Sequence, residues 1–261
     1  MVVGVADQIM KFIWLFLWIS LGLDAQGFGP YNEDHKIEAD FIVNQSPPPD
    51  HDTWDTLLNR HVSPDGVVNY QGFTQDLKIL EGYIESLAQY AQSISTGSKQ
   101  EQLAFWINAY NACTVKLICD NLPVKSIKDI KRPWKQTVLK SKDKSWTLDE
   151  IEHSILRNYN EPRIHFAINC ASKSCPILAN QAYNAHTIDT QLNKAAKRFF
   201  NDTSKNQYTA ERIFLSRIFL WFKKDFGDTE QLIALINNAT GQNIPSNIAI
   251  SYLSYDWSLN N

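Results

Sequence analysis

The run EQLAFWINAYNACTVKLIC, Glu101 to Cys119, restricts the fold more than any other stretch. Wound as a helix it is apolar almost all the way round, so other elements must cover it on several sides. Asn108 and Asn111 interrupt it three residues apart, hence on one face. Amides in such surroundings cost free energy unless hydrogen-bonded, so they either hold a neighbouring loop or orient a catalytic group.

Around this helix the periodicity predicts a mainly helical α+β domain. Leu77, Leu80, Ile84, Leu87 and Ala91 step by three and four along one helix face. Thr147 followed by Glu150 is a capping-box pattern opening a helix that buries Leu148, Ile151 and Ile155. Further helices are expected at about 188–200, 217–226 and 230–238, the last two stopped by Gly227 and Gly241. RIHFAIN reads as a strand with His165, Ala167 and Asn169 on one face, and Ile248, Ile250 and Tyr252 alternate as a final strand. These two strands are assigned to a small antiparallel sheet. NQSPPPDHD is stiff and polar, so residues 26–53 are read as an extended leading segment and 54–261 as a single domain.

Residues 12–23, FIWLFLWISLGL, are too short to span a bilayer as a helix and follow Lys11, while Ala25 offers a small residue for cleavage. They read as the core of a signal peptide, 1–25, with initiation at Met10 the more ordinary start. Cleavage would leave no integral membrane segment, and a secreted or periplasmic protein is expected. Removing Lys11, Asp7 and Asp24 takes the formal net charge from −3 to −2, and nothing in that balance calls for nucleic acid. Eight basic residues between Lys125 and Lys144 face only Asp129 and Asp143, a run whose ordinary meaning is a solvated loop.

The chemistry concentrates in HFAINCASKSC, His165 to Cys175. Cys170 as a thiolate nucleophile needs a base within reach, and His165 and His153 are the candidates. The opposing reading is a Cys170–Cys175 disulfide closing a small loop, which an oxidising compartment favours. A zinc site from His165, Cys170 and Cys175 lacks a fourth ligand, so no metal or cofactor is assigned. Cys113 and Cys119, six apart in one helix, cannot bond to each other without unwinding it and read as buried apolar residues. Glu152 and His153 cannot form a direct pair, because adjacent helical residues do not face each other.

Six ordered stretches, LLNRHVSPDGVVNYQGF, AFWINAYNACT, WTLDEIEHSILR, PRIHFAINCASKSCPIL, LSRIFLWFKKDF and YLSYDWSLN, together resemble the domain-of-unknown-function family numbered 547, from about Trp54 to Asn260. The resemblance implies recurring positions rather than an activity: Asn108, Asn111, Glu152, His153, Arg157, Arg163, His165, Cys170, Ser174, Cys175, Asp256 and Trp257. The functional expectation is a secreted cysteine-dependent hydrolase or acyl transferase for an amide or ester, acting on an unknown small-molecule or peptide-like substrate. Cys170 would be the nucleophile and His165 or His153 its base. Asn108 or Asp256 would orient the imidazole, and Asn111, Glu152, Arg163 and Ser174 would bind substrate. The alternative is a noncatalytic ligand-binding domain with a structural disulfide. Export predicts a mature chain beginning near Gln26, which the intact mass of protein from the native host checks; a retained Met1 or Met10 would refute it.

Overall fold

The structure, a computed structural model, describes residues 47–261. The expected signal peptide and the leading segment as far as residue 46 lie outside the described residues. Helix α1 (His51–His61) starts ahead of the boundary expected near Trp54, because the Asp50 side chain accepts the Asp52 N–H at 2.9 Å and caps it. Trp54 stacks on Tyr83 with ring centroids 5.8 Å apart. Short α2 (Tyr70–Gln75) and α3 (Leu77–Tyr90) follow, and α3 buries Leu80, Ile84 and Leu87 as its spacing predicts.

Helix α4 (Lys99–Asp120) is the centre of the domain. A Ser98–Glu101 capping box starts it, and from Leu103 to Cys119 only Lys116 escapes burial. That lysine carries its charge to the surface, where Asp120 at 2.7 Å and Glu81 at 3.2 Å meet it. The two buried amides are each used twice. Asn108 donates to the Tyr183 carbonyl at 2.8 Å and accepts the Tyr183 N–H at 2.9 Å. Asn111 donates to the Ala167 carbonyl at 3.0 Å and accepts the Asn169 N–H at 2.9 Å. Both asparagines therefore clamp backbone that crosses the helix.

Strands β1 (Thr137–Lys140) and β2 (Ser145–Thr147) form a two-stranded antiparallel sheet against α4. The Thr147–Glu150 capping box is present, with the Glu150 N–H on Thr147 Oγ1 at 3.1 Å. The helix it opens is wound as a π-helix over Glu150–Ile155 and tightens to 3₁₀ over Leu156–Tyr159. Leu148 and Ile151 are buried, and Glu152 turns inward with them. Widened turns of this kind frequently accompany functional sites.

Residues 164–169 depart from the expected strand: Pro162–Phe166 is a 3₁₀ turn. Pro162 occupies a first-turn position where its missing N–H costs nothing, and Glu161 caps Arg163. Ile164 through Asn169 are all buried, so the alternation carried no information about a face. Helix α5 (Ile188–Asn201) packs on this turn. Phe166 there joins Phe199, Phe200, Phe219 and Phe226 in a second aromatic core.

The second core lies on a three-stranded sheet, β3 (Gln207–Tyr208), β4 (Arg212–Leu215) and β5 (Ala249–Tyr252). Strands β3 and β4 are antiparallel, while β5, the expected C-terminal strand, pairs with β4 in parallel. The helix expected over 217–226 shortens to α6 (Ile218–Trp221); α7 (Thr229–Thr240) ends at Gly241 with φ 73°. The fold is thus α+β and mainly helical, with two small sheets of two and three strands among the described residues. Among the described residues no helix is long and apolar enough to cross a membrane.

Asn108→Leu orphans the buried N–H and C=O of Tyr183, and we expect a loss of about 2–4 kcal/mol. Thermal and urea unfolding check this, and the reactivity of Cys170 in the folded variant should be unchanged, since Asn108 does not line its cleft.

Candidate thiol site

The loop after the 3₁₀ turn is built from both ends. Asn169, placed by Asn111, accepts the Ala171 N–H at 2.8 Å and donates to the Pro176 carbonyl at 2.7 Å, closing the loop across Cys170 and Cys175. Ala171 holds φ 60°, a left-handed conformation unfavourable for a side-chain-bearing residue. The C-terminal tail keeps it there. The Lys173 N–H donates to Ser258, the Ser174 N–H to Asp256 and the Asn260 N–H to Ala171, at 2.9, 3.2 and 3.3 Å. Ser174 Oγ accepts the Asp256 N–H at 2.8 Å, and the Asp256 carboxylate turns back on Ser258 Oγ at 2.6 Å.

Cys170 Sγ is the hub of the site. Cys175 Sγ lies 2.9 Å away, Ser172 Oγ 3.2 Å and Tyr255 Oη 3.4 Å. The Cys175 S–H is the largest influence on this thiol; burial opposes it, and the two hydroxyls add to it, leaving the Cys170 pKa lowered to about 7. Burial drives Cys175 the other way, well above a usual thiol, with the hydrogen bond to Cys170 adding to the rise. Cys170 is half-buried and Cys175 buried. The two sulfurs are not bonded to each other in this structure, and burial pushes the thiols of Cys113 and Cys119 up to about 12.

Cys170 sits beside an open cleft of about 650 Å³. Trp134, Trp221, Phe222, Tyr255 and Trp257 supply aromatic wall, and Arg132 and Lys135, from the basic run, stand at it as cations. Trp257 packs on Trp221 at 5.7 Å and carries Lys128 Nζ 3.9 Å over its ring. Of the residues singled out from the sequence, Glu152, His153, His165, Cys175 and Trp257 share the lining with Cys170.

His165 stacks on Phe222 at 4.0 Å, and its Nε2 meets Asp225 Oδ2 at 2.8 Å. Arg157 grips the same carboxylate with Nε at 2.6 Å and Nη2 at 2.7 Å. Burial lowers the His165 pKa to about 4, only partly offset by Asp225, so the ring is neutral at pH 7. His153 is half-exposed, with Nδ1 3.1 Å from Arg157 and its pKa lowered by desolvation. Neither imidazole hydrogen-bonds Cys170. Glu152 is buried with Tyr110 Oη 3.2 Å from its carboxyl; burial first, then the Cys170 charge, push it up to about 7.

The structure separates the other expected residues from the cleft. Asn108 and Asn111 hold backbone, and Asp256 and Ser174 belong to the tail staple. Arg163 pairs with Glu161 at 2.6 Å and with Asp189 at 2.8 Å. The group that orients an imidazole is Asp225, and sequence reasoning missed it together with Tyr255, Ser172 and Tyr110. Asp225 and Tyr255 lie in LSRIFLWFKKDF and YLSYDWSLN, two of the quoted stretches, so a signal for them existed. Among the described residues no group of three or more His, Cys, Asp and Glu side chains is placed to hold a metal ion.

The fold is α+β, and it sets Cys170, with Cys175, Ser172 and Tyr255 about its sulfur, beside an aromatic cleft. Residues 94–200 match the model of a family described as a protein of unknown function, DUF547, so the resemblance holds over that stretch. The match takes in AFWINAYNACT, WTLDEIEHSILR and PRIHFAINCASKSCPIL and ends before Asp225 and Tyr255. No curated protein and no solved structure matches the chain.

The thiolate should govern alkylation, so the rate of iodoacetamide reaction at Cys170 should rise with pH to half its maximum near pH 7. Tyr255→Phe removes a donor to the sulfur and should move that midpoint upward. Peptide-mapped alkylation from pH 5 to 10 reads both; a midpoint near that of an ordinary thiol would overturn the assignment.

Proposed function

We propose that this is a secreted cysteine-dependent hydrolase or acyl transferase acting on an amide or ester, with Cys170 as nucleophile. The observation that carries the reading is the convergence of Cys175, Ser172 and Tyr255 on the Cys170 sulfur, which favours its thiolate, at an open cleft shared with Glu152, His153 and His165. A thiolate present at pH 7 attacks a carbonyl without first needing a base. Base work then falls in the second half-reaction, where water or another acceptor must be deprotonated to release the acyl group. His165, neutral and oriented by Asp225, suits that step, with His153 as its competitor. The leaving group needs a proton, and Glu152, pushed up to about 7, can carry one at neutral pH. The aromatic wall suits an apolar or planar acyl portion, and the export signal read in residues 1–25 supports a reaction outside the cytoplasm.

A second reading has its own observation. The sulfurs of Cys170 and Cys175 lie 2.9 Å apart, close enough that oxidation would bond them and leave a noncatalytic ligand-binding cleft.

A panel of ester, thioester and amide reporters, followed by intact mass, tests the enzyme. One acyl group per chain should appear on Cys170, and Cys170→Ala should cost roughly 10³-fold or more in turnover. Of His165→Ala and His153→Ala, the one that slows release of the acyl group names the base. A free Cys170 that reacts slowly with every electrophile and ignores both histidine substitutions would end the proposal.

A further inference from the structure

The pairing of the two sulfurs supports more than a nucleophile. We propose that Cys170 and Cys175 form a reversible dithiol–disulfide couple that exchanges with a small-molecule disulfide entering the aromatic cleft. This activity goes beyond acyl transfer and does not depend on it, since it rests on the arrangement of the two thiols alone.

The two cysteines differ in the way exchange requires. Both line the cleft, but Cys170 is only half-buried, so an incoming disulfide can meet it, whereas Cys175 is 5% exposed and lies against it at 2.9 Å. In the first step the Cys170 thiolate attacks one sulfur of the substrate R–S–S–R. The S–S bond breaks, one RS⁻ leaves, and Cys170 carries the other RS group as a mixed disulfide. That step removes the negative charge from Cys170 and with it the acceptor to which the Cys175 S–H was donating. Part of what held the Cys175 proton in place is therefore gone. The departed RS⁻ takes that proton as RSH. The Cys175 thiolate, now receiving the Cys170 N–H at 3.0 Å, attacks the Cys170 sulfur and expels the second RS⁻. The balance is one disulfide reduced to two thiols and one protein dithiol oxidised to a disulfide, two electrons passing from protein to substrate.

The loop holds the two sulfurs 2.9 Å apart, within about an ångström of bonding distance. Asn169 ties its two ends, and the Cys175 N–H donates to the Ser172 carbonyl at 3.0 Å between them. Oxidation also removes the nucleophile that acyl transfer needs, so the redox state of the pair would set how much of the protein is competent for that reaction.

The test uses the full chain and glutathione as the probe. Native protein is equilibrated in buffers of graded reduced-to-oxidised glutathione ratio, quenched in acid, alkylated and mapped. The expected result is the concerted, reversible loss of both thiols in one cross-linked 170–175 peptide with no lasting glutathione adduct. Cys175→Ser should trap one glutathione per chain on Cys170, and Cys170→Ser should acquire none at Cys175. Retention of both thiols in excess oxidised glutathione would overturn the proposal, and so would a lasting adduct on the unsubstituted protein. A 170–175 bond that the native protein surrenders to reductant only after unfolding would also overturn it and mark a structural disulfide. The acyl-transfer reading fails separately: a chain that exchanges with glutathione but never acylates loses only that reading.

Discussion

A helix apolar on nearly every side can be stable only at the centre of a domain, and that requirement organises everything around α4. Its burial leaves two amides without water, and each must find both a donor and an acceptor in the backbone of another segment. Asn108 finds them at Tyr183, and Asn111 finds them at Ala167 and Asn169. The second clamp reaches the site, because Asn169 in turn closes the loop that carries both cleft cysteines. The polar minority of the most apolar element thus positions the chemistry, although neither amide touches it.

The site itself shows two opposed physical effects decided by geometry. Burial penalises a thiolate and should push both cysteines up, as it does for Cys113, Cys119 and Cys175. Cys170 is lowered instead because three donors converge on one sulfur, and together they outweigh desolvation. Glu152 illustrates the contrary outcome: with a single hydroxyl partner and the Cys170 charge near it, burial prevails and the carboxyl rises to about 7. His165 loses its proton to burial as well, even with Asp225 beside it, and so stands as an acceptor rather than a cation. The proposed acyl chemistry would draw on all three groups, and packing shifts each of them from its ordinary titration.

Helix α4, the α3 face, the capping box at Thr147 and the glycine stop at Gly241 were legible because each depends on residues within a few positions of one another. The alternation of RIHFAIN reads as a strand through His165, but Ile164 to Asn169 are all buried and the Pro162 turn, whose hydrogen bonds run three residues back along the chain, prevails. The antiparallel pairing expected between the C-terminal strand and the His165 segment does not form, and β5 pairs with β4 in parallel, since alternation fixes a face but neither a partner nor a direction. Cys170, His153, His165 and Glu152 were all named from the sequence, and the structure brings them to one cleft.

What the sequence by itself determined is the buried central helix, the helical α+β class and the chemistry-bearing residues that gather near Cys170. Local periodicity, capping and side-chain type are enough for these, because each is a short-range property of the chain. Tertiary structure decided which partners those residues met. Asp225 reaches His165 across 60 positions, Tyr255 reaches Cys170 across 85, and Asn108 holds Tyr183 across 75. Such contacts depend on how elements cross after packing, which no local pattern records. They also set the protonation of the site, because the pKa of a buried group follows from the donors and charges that packing brings within reach.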